Sequence, residues 1–330
     1  MRAIQIVDLS GPTSALELLD APAPPEPPTH MLTPGEGVIV DVHAAGVSFP
    51  EVLQTRGEYQ LKPPLPFIPG SEVAGVVRSA SPGAGVSVGD RVAAFCALGA
   101  FAEQAVAPPF LTFGLPDALD FAQGASLILN YHTAYFALQR RGRLRAGETV
   151  LVHGAAGGVG TAALQVARGL GARTIAVVSS DAKAQVANDA GADEVLRSDG
   201  PWKDEAKALG GADVVLDPVG GDRFTDSLRC LREDGRLVVV GFTGGSIPEV
   251  KVNRLLLNNV EVVGAGWGAY ALAKPDLCRE IGEALGAMIE QGVVRPIVGE
   301  RFGLEQASQA LLAIDGRRAT GKVVLDVRGG

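Results

Sequence analysis

The hydrophobic pattern of the chain changes near residue 120. Before that point, short Val-rich runs (VIVDVHAAGV at 38–47, SEVAGVVRSA at 71–80, DRVAAF at 90–95) alternate with Pro and Gly clusters. Runs bounded by turn residues predict short strands. The stretch APAPPEPPTH at 21–30 reads as an extended connector, because proline lacks the amide donor and clashes with the preceding helical turn. Beyond 120 the pattern predicts a helix over 121–139, with Asp117 or Asp120 as its cap. Strand 149–154, helix 158–170, strand 173–179, helix 181–190 and strands 193–196 and 212–220 follow. Helix 222–232, strand 236–242, helix 252–258 and strand 260–265 complete the run. Strands alternating with helices predict a parallel, doubly wound α/β sheet. Two amphipathic helices, 276–291 and 304–315, then precede a last strand, 322–327, expected to return to the β-rich N-terminal part.

Composition sharpens this picture. Of 330 residues, 47% are hydrophobic but only 5% aromatic, so Ala, Val, Leu and Ile must build the core, as in parallel-sheet proteins. The 29 Lys and Arg against 37 Asp and Glu give a net charge of −8, which argues against nucleic acid or an anionic membrane as partner. The three cysteines, Cys96, Cys230 and Cys278, lie far apart and form no CxxC, which excludes a disulfide framework and a cysteine-rich zinc lobe. Apolar stretches near 92–102 and 262–273 fall short of the roughly 18 residues of a membrane span. MRAIQIVDLSG lacks the apolar core of a leader. A soluble, cytoplasmic protein is expected.

The strongest local signal is VLVHGAAGGVGTAALQVARGLGA at 150–172: strand, then Ala155-x-Gly157-x-x-Gly160, then helix. Small residues permit the tight turn. Gly157 lets the backbone approach a pyrophosphate, Gly160 lets helix and strand pack closely, and the helix N-terminus aims N–H groups at the phosphates. The turn residues Ala156, Gly157, Gly158 and Val159 are therefore cofactor candidates. The next strand distinguishes the dinucleotide. It ends Val178-Ser179-Ser180, with Asp181 two residues past the tip and Lys183 following. Two hydroxyls and an ammonium suit a 2′-phosphate, which a strand-tip acid would repel, so NADPH is expected over NADH.

The segments GVSFPEVLQTRGEY, PLPFIPGSEVAGVV, NYHTAYFAL, VLVHGAAGGVG, VLDPVGGD and VVVGFTGG occur in this order over nearly the whole chain. Together they resemble the zinc-independent medium-chain dehydrogenase/reductases, in particular the quinone oxidoreductase (zeta-crystallin-like) branch. The resemblance implies a GroES-like β-rich domain from residues 1–125 and 266–330, a Rossmann NADPH-binding domain from 126–265, and an active cleft between them. The positions at which alcohol dehydrogenase relatives hold catalytic zinc correspond to Ser48, Ser71 and Asn130, and neutral oxygens do not replace thiolate and imidazole ligands. Acceptors that need no Lewis acid remain: quinones, and C=C bonds conjugated to a carbonyl. By the same resemblance Tyr59 is a proton donor, Thr133 lies beside the nicotinamide, and Ser48 replaces a common asparagine. Asn130, Gly241, Phe242, Thr243 and Trp267 fall near the cofactor, while Ser198 and Arg318 fall near its 2′-phosphate. Leu53 stands where relatives with strong quinone resemblance carry a further tyrosine.

The function expected is therefore an NADPH-dependent reductase of quinones or enones. An enoyl-thioester reductase and a non-catalytic, crystallin-like NADPH-binding protein are the alternatives. For single residues, bland roles stand beside these. Tyr59 reads equally as a local wedge, His153 as packing under the glycine turn, and His30 and His43 as structural or solvated. His132 is left open; Asp217 is either a cofactor contact or a turn former; Trp267 lines either the cleft or a contact between copies. The Val-rich strand 260–265 is expected at an exposed sheet edge, which predicts a homodimer paired through it.

Overall fold

A computed structural model of the protein describes residues 1–20 and 36–328. The connector 21–30, with His30, lies outside the described residues. The chain forms two compact units: Met1–Leu129, Lys274–Gly282 and Pro296–Gly330 make one, and Asn130–Ala273 with Glu283–Arg295 the other. The first unit begins with β1 (Arg2–Ile6), β2 (Leu16–Asp20), β3 (Val38–Val47), β4 (Glu72–Ala80), β5 (Arg91–Phe95), β6 (Gln104–Ala107) and β7 (Thr112–Gly114). The second unit holds β8 (Thr149–His153), β9 (Arg173–Val178), β10 (Glu194–Arg197), β11 (Ala212–Asp217), β12 (Leu231–Val239) and β13 (Glu261–Gly264). The chain then returns to the first unit with β14 (Val298–Gly303) and β15 (Lys322–Asp326).

In the second unit the six strands are parallel, in the order β10-β9-β8-β11-β12-β13. Numbered from β8, this is 3-2-1-4-5-6, the doubly wound order whose chain reversal beside the first strand opens a crevice at the carboxyl ends. All five residues of β8 are buried, as a strand covered on both faces must be. The helices Gly158–Gly169, Asp181–Asp189, Trp202–Ala208 and Phe224–Cys230 follow successive strands. The helix Trp202–Ala208 is not among the elements the sequence pattern predicts. Its seven residues give little periodicity, and it is anchored by Trp202 and Ala206 in the core beneath the sheet.

The predicted helix 121–139 is three pieces: Phe121–Gly124, Ile128–Tyr135 and a π-helical stretch Phe136–Arg141. Asp120 caps the first, accepting from the Gln123 N–H at 2.7 Å. The break has a tertiary cause. The Leu129 N–H turns to the carboxylate of Glu72 (2.8 Å), a buried partner that the local sequence does not reveal.

The first unit carries the sheet β14-β15-β3-β4-β5-β7, with β6 also on β3, and the hairpin β1-β2. β15 lies antiparallel to β3, Val323 opposite Val47, which joins the C-terminal strand to the N-terminal sheet. Beside this junction the Lys322 ammonium is hydrogen-bonded to Glu72 and Ser48, with Lys322 3% and Glu72 0% exposed. Gly46 lets the two side chains lie there. A Cβ at this position would sit 2.3 Å from the Ala125 carbonyl, 2.6 Å from Lys322 Cε and 2.8 Å from Glu72 Cγ. Gly46→Ala is therefore expected to destabilise the protein by about 3 kcal/mol, the upper range for overpacking, as checked by chemical denaturation.

Candidate functional site

The second unit builds its site from the glycine turn after β8. Gly154, in the left-handed region at φ +58°, makes the reversal, so the fingerprint tolerates Ala155, which is fully buried. Gly160 allows the close approach: a Cβ there would lie 2.2 Å from the Gly154 carbonyl oxygen. Gly157 stands at the N-terminus of the helix Gly158–Gly169, and a Cβ on it would approach only the Gly154 oxygen, at 3.4 Å. The turn residues Ala156, Gly157, Gly158 and Val159 thus present backbone, and the first amides of a twelve-residue helix, at the carboxyl end of the sheet. That is a cradle a pyrophosphate fits.

Asn130 and Thr133 sit on the helix Ile128–Tyr135, both buried. The Asn130 amide lies directly on the turn, since a Cβ at Gly158 would meet its Nδ2 at 2.4 Å. Gly241, Phe242 and Thr243 follow β12, and Thr243 is tied to Pro218 by its N–H and its hydroxyl, each at 3.1 Å. Trp267 is 1% exposed, with its ring 5.4 Å from that of His132. Of the two roles open to it, burial leaves no exposed face for a contact between copies. Burial pushes His132 down to about 3, which keeps it neutral at physiological pH.

At the end of β9, Ser179 is exposed and accepts from Lys183 Nζ at 3.3 Å. Ser180 caps the helix Asp181–Asp189, accepting from the Lys183 N–H at 3.3 Å. Ser198, one residue beyond β10, donates its N–H to the Val178 carbonyl at 2.8 Å. The structure brings Ser179, Ser180, Lys183 and Ser198 together at one corner of the sheet. Arg197 stands in the same corner, and sequence reasoning missed it because nothing in the short β10 run marks its last residue as facing the neighbouring strand tip. Arg318 belongs to the first unit, exposed after the helix Ala307–Asp315.

Asp217 forms a turn: one carboxylate oxygen accepts from the N–H groups of Val219 and Gly220, each at 2.9 Å. His153 is fully buried and shares a 2.7 Å hydrogen bond with Ser227 Oγ against the edge of Trp202, a packing role. His43 stacks on Phe121 at 4.2 Å between ring centres.

In the first unit Ser48 precedes the helix Phe49–Gln54, and its N–H donates to Glu51 Oε2 at 2.8 Å. Lys322 Nζ donates to Ser48 Oγ at 2.6 Å, and Ser71 Oγ donates to Glu51 Oε1 at 2.9 Å. Tyr59 is half-buried near this group; burial, and then the Glu51 charge, push its phenol up. Sequence reasoning missed Glu51, Glu72 and Lys322, whose meeting depends on a helix and two strands that lie apart in the chain. A zinc ion does not fit here. Ser48 and Ser71 offer neutral hydroxyls, and the Lys322 ammonium already faces Ser48 and Glu72, so a divalent cation would meet like charge. No group of three or more His, Cys, Asp or Glu side chains able to hold a metal occurs among the described residues. The cysteines are free and buried.

Burial pushes the Glu51 carboxyl up to about 7, against the pull of Lys322 and of hydrogen bonds from Ser71 and from the Ser48 and Glu51 N–H groups. An acid whose pKa is raised on folding binds more protons folded than unfolded. Its stabilising contribution is complete at low pH and declines as pH rises from the ordinary carboxylate range to about 7. Glu51→Gln, which keeps an acceptor for the Ser48 N–H, is expected to flatten that part of the stability profile, as checked by urea unfolding between pH 5 and about 8.

The comparisons with known proteins accord with this geometry. Residues 34–117 match the family model of the alcohol dehydrogenase GroES-like domain, and residues 158–281 that of the zinc-binding dehydrogenase. The chain is 37% identical to quinone oxidoreductase-like protein 2 of Mus musculus over 333 residues, 99% of this chain and 92% of that protein. A probable oxidoreductase from Mycobacterium abscessus superposes with a TM-score of 0.87 at 44% identity, covering 99% of each chain. The quinone oxidoreductase of Thermus thermophilus, whose structure was also determined with NADPH, superposes with a TM-score of 0.84 at 36% identity, over 99% of this chain and 100% of that one. Two domain-family matches, a shared doubly wound sheet and whole-length identity of this size place the chain in the quinone oxidoreductase branch of the medium-chain dehydrogenase/reductase family.

Proposed function

We propose that this protein is an NADPH-dependent reductase that acts on quinones or on C=C bonds conjugated to a carbonyl, without zinc. The observation that carries the reading is the glycine cradle with Asn130 on its floor and Lys183, Ser179 and Ser180 at the tip of the next strand. These groups suit a pyrophosphate and a 2′-phosphate respectively. The nicotinamide, when bound, supplies a hydride, which is cofactor chemistry rather than protein chemistry. Asn130, Thr133, Gly241, Phe242, Thr243 and Trp267 are assigned to the nicotinamide half, and Ser198 and Arg318 to the phosphate end.

The unit of Asn130–Ala273 and Glu283–Arg295 carries the nucleotide in this reading, and the other unit carries the acceptor. Tyr59 and Ser48 serve the acceptor oxygen. Burial keeps the Tyr59 phenol protonated, as a proton or hydrogen-bond donor must be. Ser48 accepts from Lys322, so its own hydroxyl proton is directed elsewhere and can be donated.

A second copy is proposed along β13, the end strand of its sheet. Beside it Leu256 and Leu257 are 76% and 75% exposed, and Val252 is 70% exposed. An uncovered edge flanked by apolar side chains favours pairing.

Consumption of NADPH and of NADH against a panel of quinones, enones and a crotonyl thioester tests the activity. Turnover with NADPH and a quinone or enone is expected, and failure of every quinone and enone in the panel to oxidise NADPH would refute the assignment. Tyr59→Phe is expected to slow turnover about 10²–10³-fold, the usual loss of one transition-state donor; a variant with full single-turnover rates would remove Tyr59 from the site. Sedimentation is expected to show a dimer that Leu257→Glu converts to a monomer.

A further inference from the structure

The corner of the sheet that receives the 2′ end of the ribose contains a cation that the proposed site does not yet use. β10 runs parallel to β9 with Arg197 opposite Val178, which places its side chain beside Ser179. The guanidinium donates through Nη1 to the Asp181 carboxylate, and through Nη2 to Asp199 Oδ2 at 3.0 Å and to the Ser179 carbonyl at 3.3 Å. Its Nε–H is buried and has no hydrogen-bond partner. Lys183 Nζ donates to the Ser179 hydroxyl at 3.3 Å. Two cations and two serine hydroxyls therefore surround the strand tip.

The acids at this corner are placed differently from the cations. Asp181 and Asp199 are 96% and 67% exposed at their side chains, whereas Arg197 is 38% exposed. Ion pairs to such solvated carboxylates are worth little and exchange readily. An acid at this strand tip is the group that takes a ribose 2′-hydroxyl and rejects a 2′-phosphate. Asp181 is the acid nearest that place, and Arg197 engages it. A phosphate dianion offers a planar, forked guanidinium a stronger bidentate partner than a solvated carboxylate.

We infer that Arg197 selects the dinucleotide at this site: it withholds Asp181 from a ribose 2′-hydroxyl and exchanges that carboxylate for a 2′-phosphate, which it grips together with Lys183. The inference rests on the NADPH reading above and adds the residue that discriminates. Arg197 is a binding residue in this account and takes no part in hydride transfer.

The test is direct binding, by isothermal titration of the purified full chain with NADPH and with NADH. Arg197→Met is expected to weaken NADPH about ten- to a hundredfold, the loss of one or two charge-assisted hydrogen bonds. NADH should be held as well as before or better, because Asp181 is released. Arg197→Lys keeps the charge without the fork and should recover part of the NADPH affinity. Asp181→Asn should tighten NADPH and leave NADH no tighter. Thermal melting of the unliganded variants reports whether the fold is intact, and Arg197→Lys supplies the reading if the methionine variant does not fold. Equal weakening of both nucleotides, or undiminished NADPH affinity in Arg197→Met and Arg197→Lys, would overturn the role of Arg197 while leaving the NADPH reading in place. A wild-type chain that binds neither nucleotide, or both equally, would overturn that reading itself, and this inference with it.

Discussion

The close approach of one helix to one strand governs the nucleotide-binding unit. Gly160 lies against the backbone of Gly154 and Ala155 at distances no side chain allows. This contact fixes the helix Gly158–Gly169 at the carboxyl end of β8 and aims its unpaired amides outward. Asn130 can then rest on the turn only because Gly158 also lacks a side chain. The rest of the corner follows from parallel pairing: β9 brings Ser179 and Ser180 level with the turn, and β10 brings Arg197 level with β9. Function at this end of the protein is largely backbone geometry, and the side chains refine it.

The other unit depends on charge rather than on close backbone packing. A buried ammonium joins β15 to β4 across β3, with Glu72 also holding the Leu129 amide. Two buried carboxylates and one buried ammonium cannot all be ionised without an uncompensated charge in a low dielectric. Burial pushes the Glu51 carboxyl up to about 7 even with the Lys322 charge pulling it down. The cluster lies where the resemblance puts the zinc ligands of alcohol dehydrogenases, at Ser48 and Ser71. The same space is held together here by a lysine, whose ammonium donates to Ser48 and Glu72.

The two clusters bear differently on specificity. At the nucleotide corner, exposed carboxylates and a semi-buried guanidinium form pairs that are easily broken, which suits a group that must change partners. At Lys322 the pair is almost wholly buried and costly to break, which suits a fixed scaffold. Exposure separates a switchable ion pair from a structural one in the same chain.

Much of this is legible in the residues. The strand–glycine–helix segment at 150–172 and the βα alternation after 120 determine the doubly wound sheet, because hydrophobic period and turn chemistry act locally. Ser179, Ser180 and Lys183 are legible for the same reason: they follow directly from a strand end. What lies beyond the sequence is every partnership between distant segments. Helix 121–139 breaks because Glu72 takes the Leu129 amide, Trp202–Ala208 is helical because the core beneath it is apolar, and Trp267 is buried against His132. Lys322 meets a glutamate 250 residues away, and Arg197 meets the acid beside the next strand. The sequence by itself determined which backbone shapes form and which cofactor chemistry they suit. Only the tertiary structure decided which charges pair and which stay solvated, because desolvation and Coulomb energy depend on neighbours that chain order does not specify.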